Sequence, residues 1–140
     1  MSGGTVTFGT LTTASGLSST TADVVFTRTA TLRAGNSGTS LNADVTLQGA
    51  TIDSAGNVNL GNTSGDAIAI TGDSILTGGG RFVVNGTANG NGSLLLSGAG
   101  IKTFSGSVGQ TVALAGITQA SGSGLVTFQN DVTINGTSQF

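Results

Sequence analysis

Six carboxylates and four cations supply nearly all the ionisable chemistry of this chain. The carboxylates are Asp23, Asp44, Asp53, Asp66, Asp73 and Asp131, and the cations are Arg28, Arg33, Arg81 and Lys102. His, Cys, Trp and Tyr are absent. That removes the commonest general base and metal ligand, every thiol ligand or disulfide, and the rings that usually line sugar platforms. Cleaving a polysaccharide needs carboxylates clustered as acid and base, or a metal or base with cations on one face. The six aspartates show no such clustering. Asp44 and Asp131 each precede a short β-type run, DVTLQG and DVTING, where Asp serves as a corner hydrogen-bonder. The expectation is a chain that is not an enzyme, with no catalytic, cofactor-binding or metal-ligating residue and no cofactor.

The remaining polar motifs read as architecture. Gly61-Asn62-Thr63-Ser64-Gly65-Asp66 and Gly72-Asp73 offer oxygens of the kind Ca²⁺ takes. The acidic nonapeptide of calcium-binding β-rolls is missing, however, and turn chemistry accounts for both. Thr-x-Thr occurs at Thr5-Val6-Thr7, Thr10-Leu11-Thr12, Thr27-Arg28-Thr29 and Thr29-Ala30-Thr31. A flat array of such pairs can order water, as an ice-binding face would, but these crowd into the first third of the chain. Asn62, Asn85, Asn91 and Asn135 stand in glycosylation sequons and mark exposed corners. Four scattered cations cannot track a phosphate backbone, so nucleic acid is not an expected partner.

The elements that must carry these residues are short strands. Gly, Thr, Ser and Asn make up more than half of the 140 residues, and charged residues only 7%. Val, Ile, Leu and Phe still form roughly a quarter of the chain, above the level at which disorder is expected, and the net charge is only −2. The longest purely aliphatic run is Leu94-Leu95-Leu96, far too short to cross a bilayer, so membrane insertion is not expected. The N-terminus has neither a basic nor an apolar leader region, and the expectation is a piece cut from a longer precursor.

A repeat runs through the chain. An alternating run closed by Gly appears as Val45-Thr46-Leu47-Gln48-Gly49, Ile68-Ala69-Ile70-Thr71-Gly72 and Leu94-Leu95-Leu96-Ser97-Gly98. It returns as Val112-Ala113-Leu114-Ala115-Gly116 and Val132-Thr133-Ile134-Asn135-Gly136, with a weaker copy at Val6-Thr7-Phe8-Gly9. Ile52, Ile75, Ile101 and Ile117 follow the clear copies that precede them. Third runs ending in Asn are Val58-Asn59-Leu60-Gly61-Asn62, Phe82-Val83-Val84-Asn85 and Val126-Thr127-Phe128-Gln129-Asn130, and segment 93–110 has a short or irregular third side. Period-two alternation gives one buried and one exposed row, and Gly and Asn supply the positive-φ corners. Units of about 20 residues, each too small to bury its own row, must stack on their neighbours. The reading is an all-β, parallel β-helix (β-solenoid) in one domain, 1–140, with 1–43 less regular and 44–140 clearly repeated.

Within this pattern Val45, Leu47, Ile68, Ile70, Leu94, Leu96, Val112, Leu114, Val132 and Ile134 should face inward, and Leu95 outward. Val24 to Leu32 reads as the longest strand-like run, with Ala14–Thr21 and Ala34–Ser40 as loops. A β-sandwich is the rival all-β fold, but its spacing of 8–12 residues is shorter than the repeat seen here.

Units such as DVTLQGATIDSAGNVNLGN and DVTINGTSQF resemble the repeat regions of filamentous-haemagglutinin-like exoproteins and autotransporter passenger domains. The resemblance covers most of residues 44–140 and implies a right-handed parallel β-helix, an extracellular or cell-surface location, and service as a rod or adhesive stalk. The expected function is therefore a self-assembling filament subunit or a rod segment of a surface adhesin. A carbohydrate- or ice-binding β-helix module is the alternative. No capping element is evident at either end, so the expected partner is the chain itself, head to tail. A surface glycan is a further possible ligand.

Overall fold

The structure, a computed structural model, describes residues 4–13, 16–32 and 38–140. Arg33, and parts of the two segments read as loops, lie outside the described residues. The described residues form β-strands without a helix, wound into a β-solenoid of about six turns with roughly 21 residues per coil. Three parallel sheets make its sides.

The first sheet stacks β1 (Thr5–Phe8), β4 (Asp23–Phe26), β7 (Val45–Gln48), β10 (Ala67–Gly72) and β13 (Thr87–Asn89). The second stacks β2 (Leu11–Thr13), β5 (Ala30–Leu32), β8 (Thr51–Ser54), β11 (Ser74–Thr77), β14 (Ser93–Leu96), β16 (Gly116–Gln119) and β18 (Ser138–Gln139). The third stacks β3 (Ser18–Ser19), β6 (Thr39–Leu41), β9 (Val58–Leu60), β12 (Phe82–Val84), β15 (Lys102–Phe104) and β17 (Val126–Phe128). Single bridges carry the first sheet further, from Ala88 to Val108 and from Val108 to Val132.

Parallel registration puts like positions in columns. One inward column runs Val6, Val24, Val45, Ile68, Ala88, Val108 and Val132. Another, in the third sheet, runs Leu41, Leu60, Val84, Phe104 and Phe128. Stacked Phe104–Phe128 rings, 4.9 Å between centroids, end this column, and stacked Phe8–Phe26 rings, 5.7 Å apart, begin a third one that continues through Leu47 and Ile70. Val45 and Leu47 are fully buried while Thr46 between them is not, which is the expected register. Ile68, Ile70, Leu94, Leu96 and Leu114 are likewise buried, and Leu95 lies in an outward column with Thr51, Ile75, Thr118 and Gln139.

Several sequence expectations need correction. Leu94-Leu95-Leu96 is not a copy of the Val45 run: it belongs to the second sheet, between β11 and β16. The first-sheet places that follow are taken by Ala88 and Val108. Segment 93–110 therefore has a full third side, β15, and Val108 already belongs to the next coil. Val112 is 49% exposed, because it sits on a bend whose N–H groups are held by Asn89, and alternation does not reach it from Leu114. Val132 does occupy an inward place but is 38% exposed, since no layer covers it, and Ile134 is half-buried for the same reason. The run from Val24 to Leu32 is broken by a corner at 27–29, where both the N–H and the hydroxyl of Thr27 donate to the Phe8 carbonyl. The two loop segments contain β3 and the start of β6.

The corners also divide their labour differently from expectation. Positive φ is confined to glycines among the described residues, including Gly49 and Gly98, whereas Gly72, Gly116 and Gly136 do not adopt it. No described Asn does so, and Asn acts instead through its side chain, as shown below. At the corner entering the third sheet, Gly56, Gly80, Gly100 and Gly124 stack on one another. A Cβ at Gly80 would overlap the Gly56 carbonyl oxygen, and one at Gly100 the Gly80 carbonyl oxygen. Backbone meets backbone there, and only hydrogen fits between.

Leu47→Ala should cost about 2–5 kcal/mol through the cavity it leaves, and Leu114→Asp at least as much through an unpaired buried charge. Leu95→Ser, on the outer face, should cost less than about 1 kcal/mol. Urea unfolding followed by far-UV circular dichroism measures all three, and equal losses at Leu47 and Leu95 would contradict the register.

Candidate functional site

The chemistry-bearing side chains are placed by the corners, and most are consumed there. Asp44 Oδ1 accepts the Ala67 N–H of the next coil at 2.7 Å. Asp73 Oδ1 accepts both the N–H and the hydroxyl of Ser93 in the next coil, at 2.9 and 2.6 Å. Asp66 Oδ2 takes the N–H groups of Asn62 and Thr63, at 2.7 and 2.9 Å, and closes the turn that had been weighed as a cation loop. Asn57 and Asn89 act as Asp44 does, accepting from Arg81 N–H and from the N–H groups of Thr111 and Val112. Asn85 and Asn130 work in the other direction, their amides donating to the carbonyls of Gly61 and Ser105 in the preceding coil. The sequon residues Asn62, Asn91 and Asn135 are exposed, and Asn85 is half-buried.

The aspartates are not gathered into a site. Asp53 stands in an outward column with Thr12, Thr31 and Thr77, and Asp131 lies exposed in the last coil. No group of three or more metal-ligating side chains occurs among the described residues. The threonine pairs do not form one plane either: Thr7 shares its column with Val25, Thr46, Ala69 and Asn89. The third sheet presents Ser18, Ser40, Asn59, Val83 and Thr127, while Thr103 in the same column is buried.

Lys102 is the residue the sequence conceals. It is not on the surface: its side chain is fully buried, in the inward column between Phe82 and Val126. Its ammonium donates to the carbonyl oxygens of Ser97, Gly98 (2.8 Å) and Gly100 (2.7 Å). Burial pushes its pKa below the ordinary 10.5. The signal was Phe104: with that ring inside, period two places Lys102 inside too, and Ile101 is exposed.

Exposed large apolar side chains concentrate at one end. Ile101, Val112, Leu125, Val132 and Phe140 all lie beyond residue 100, with Leu125 and Phe140 about two-thirds exposed. Phe140 rests edge-on against Phe128 and borders an open cleft of about 390 Å³ with Gln119, Ala120, Ser121, Gly122 and Gln139. Beyond Lys102 the only charged side chain is Asp131. At the opposite end Val6, Phe8, Leu11 and Leu17 are half-buried, with no further layer over them among the described residues.

The hydrogen bonds from Ser93 hold the Asp73 carboxyl below its ordinary 3.8. A depressed carboxylate stabilises the fold above its unfolded pKa and loses that contribution as pH falls through the folded value. Thermal melts between pH 6 and pH 2 should therefore show a steeper acid loss for the native chain than for Asp73→Asn, setting in as pH approaches 3.8 and continuing below it.

Compared with protein-family models, curated proteins and solved structures, the chain matches none of them.

Proposed function

We propose that the chain is an extracellular structural β-solenoid, a rod segment of a surface adhesin or a filament subunit that extends by stacking one copy on another. The observation that carries this reading is the stack itself: coils of one cross-section, with like positions in columns along three parallel sheets. Among the described residues Val132, Ile134, Val126 and Phe128 at one end, and Val6, Phe8, Leu11 and Leu17 at the other, hold inward positions that a further coil of the same kind would cover. Parallel strand edges accompany these rows on three sides, and an added coil of the same cross-section satisfies all three together. Such a contact is heterologous and propagates unless rotation closes a ring. The near-absence of charge beyond Lys102 leaves little repulsion to prevent it.

The corner use of Asp44, Asp66 and Asp73 supports a scaffold in preference to an enzyme, since carboxylates bound to backbone N–H groups are not free to move protons. The finer assignment to haemagglutinin-like or autotransporter rods rests on the texture of the repeats, as does the extracellular location. A carbohydrate-binding module is the second reading, favoured by the cleft in which two glutamines stand beside an exposed phenylalanine.

Sedimentation velocity and negative-stain imaging of the 140-residue chain test the proposal. The expected result is a mass that grows with concentration into rods, with coils spaced at about 4.8 Å along the axis. Val132→Asp combined with Leu125→Asp should abolish growth while leaving the circular dichroism spectrum intact. A strictly monomeric chain at high micromolar concentration, or growth untouched by these changes, would overturn it. Glycan-array binding lost in Phe140→Ser, with assembly unchanged, would instead favour the second reading.

A further inference from the structure

We infer that the corner formed by Ser97, Gly98 and Gly100 is a binding site for a primary ammonium group, occupied from within by Lys102. Three carbonyl oxygens converge on one nitrogen. An ammonium carries three N–H donors and no acceptor, so the number of acceptors equals the number of donors. No carboxylate takes part, and the charge is met by carbonyl dipoles alone.

The backbone of the corner is committed to this arrangement. Gly98 adopts φ +75°, a conformation that side-chain-bearing residues rarely take, and its carbonyl receives a second hydrogen bond from the Gly124 N–H at 3.0 Å. Gly100 is held against Gly80 with no room for a Cβ. These constraints come from stacking against the coils on either side, so the cradle persists without help from the lysine. The other inward places of the same column hold Thr39, Val58, Phe82 and Val126, none of them charged. An apolar residue at position 102 would pack as they do, but it would take the ammonium's three donors from the corner and leave the Gly98 carbonyl with the Gly124 N–H alone. The cradle selects an N–H-bearing monocation: a quaternary ammonium of similar charge cannot donate, and a bare alkali ion seeks more oxygens than three.

The test is to empty the site and refill it. Lys102→Ala should lower the thermal midpoint of the chain by several degrees. Propylammonium chloride should restore at least half of that loss with a saturable concentration dependence, and leave the native chain unaffected. Tetramethylammonium chloride and sodium chloride at equal ionic strength should restore none of it. The absence of rescue, or equal rescue by tetramethylammonium, would overturn the inference. Should Lys102→Ala not fold, Lys102→Met keeps the apolar stem and removes only the donors. Its midpoint is expected below that of the native chain, and a midpoint at or above it would overturn the inference equally.

Discussion

Each coil must bring the chain back to the same inward place it left about 21 residues earlier. The column from Val6 through Val24, Val45, Ile68, Ala88 and Val108 to Val132 records that return six times. No coil holds a core of its own. Val45 is buried because Val24 and Ile68 lie above and below it, and the same dependence runs through all three sheets. The hydrophobic effect therefore acts along the axis, between successive coils, and the parallel ladders fix the spacing at which it acts. Corner length is free to vary so long as the return is exact to one residue of parity.

That freedom explains what the sequence could and could not disclose. Period-two alternation showed which side chains face in, and the third-sheet runs Val58–Leu60, Phe82–Val84 and Val126–Phe128 were placed together by type. Sheet identity was harder to read. Leu94-Leu95-Leu96 alternates just as Val45-Thr46-Leu47 does, and nothing local tells the first side of a coil from the second. The first-sheet place in that coil is marked only by Ala88, whose small side chain carries little hydrophobic signal. Parity also misled at Val112, where a bend separates it from Leu114. Lys102 escaped notice because hydropathy argues for Ile101 inside, whereas the neighbouring ring of Phe104 decides otherwise.

The polar residues follow a similar logic. Corners leave backbone N–H and carbonyl groups that the ladders do not use, and these must be satisfied. Asp44, Asn57, Asp73 and Asn89 each supply a side-chain oxygen to the coil that follows, while Asn85 and Asn130 supply an amide to the coil before. One device thus serves at several corners of differing length. Its recurrence accounts for much of the Asn and Asp content without recourse to a ligand. Lys102 is the same solution in its most buried form, with carbonyls as the groups that need a partner.

The outward columns have a consequence for the medium in which the chain can work. They are built mainly of hydroxyls, amides and small aliphatic groups, so hydration of the surface rests on uncharged groups. Dissolved ions screen charge–charge forces beyond about 10 Å at 0.1 M, yet here they find few charges to screen. Modest changes in ionic strength should matter little to this surface, and colloidal behaviour should respond to osmolytes and to salting-out at high salt more than to charge screening.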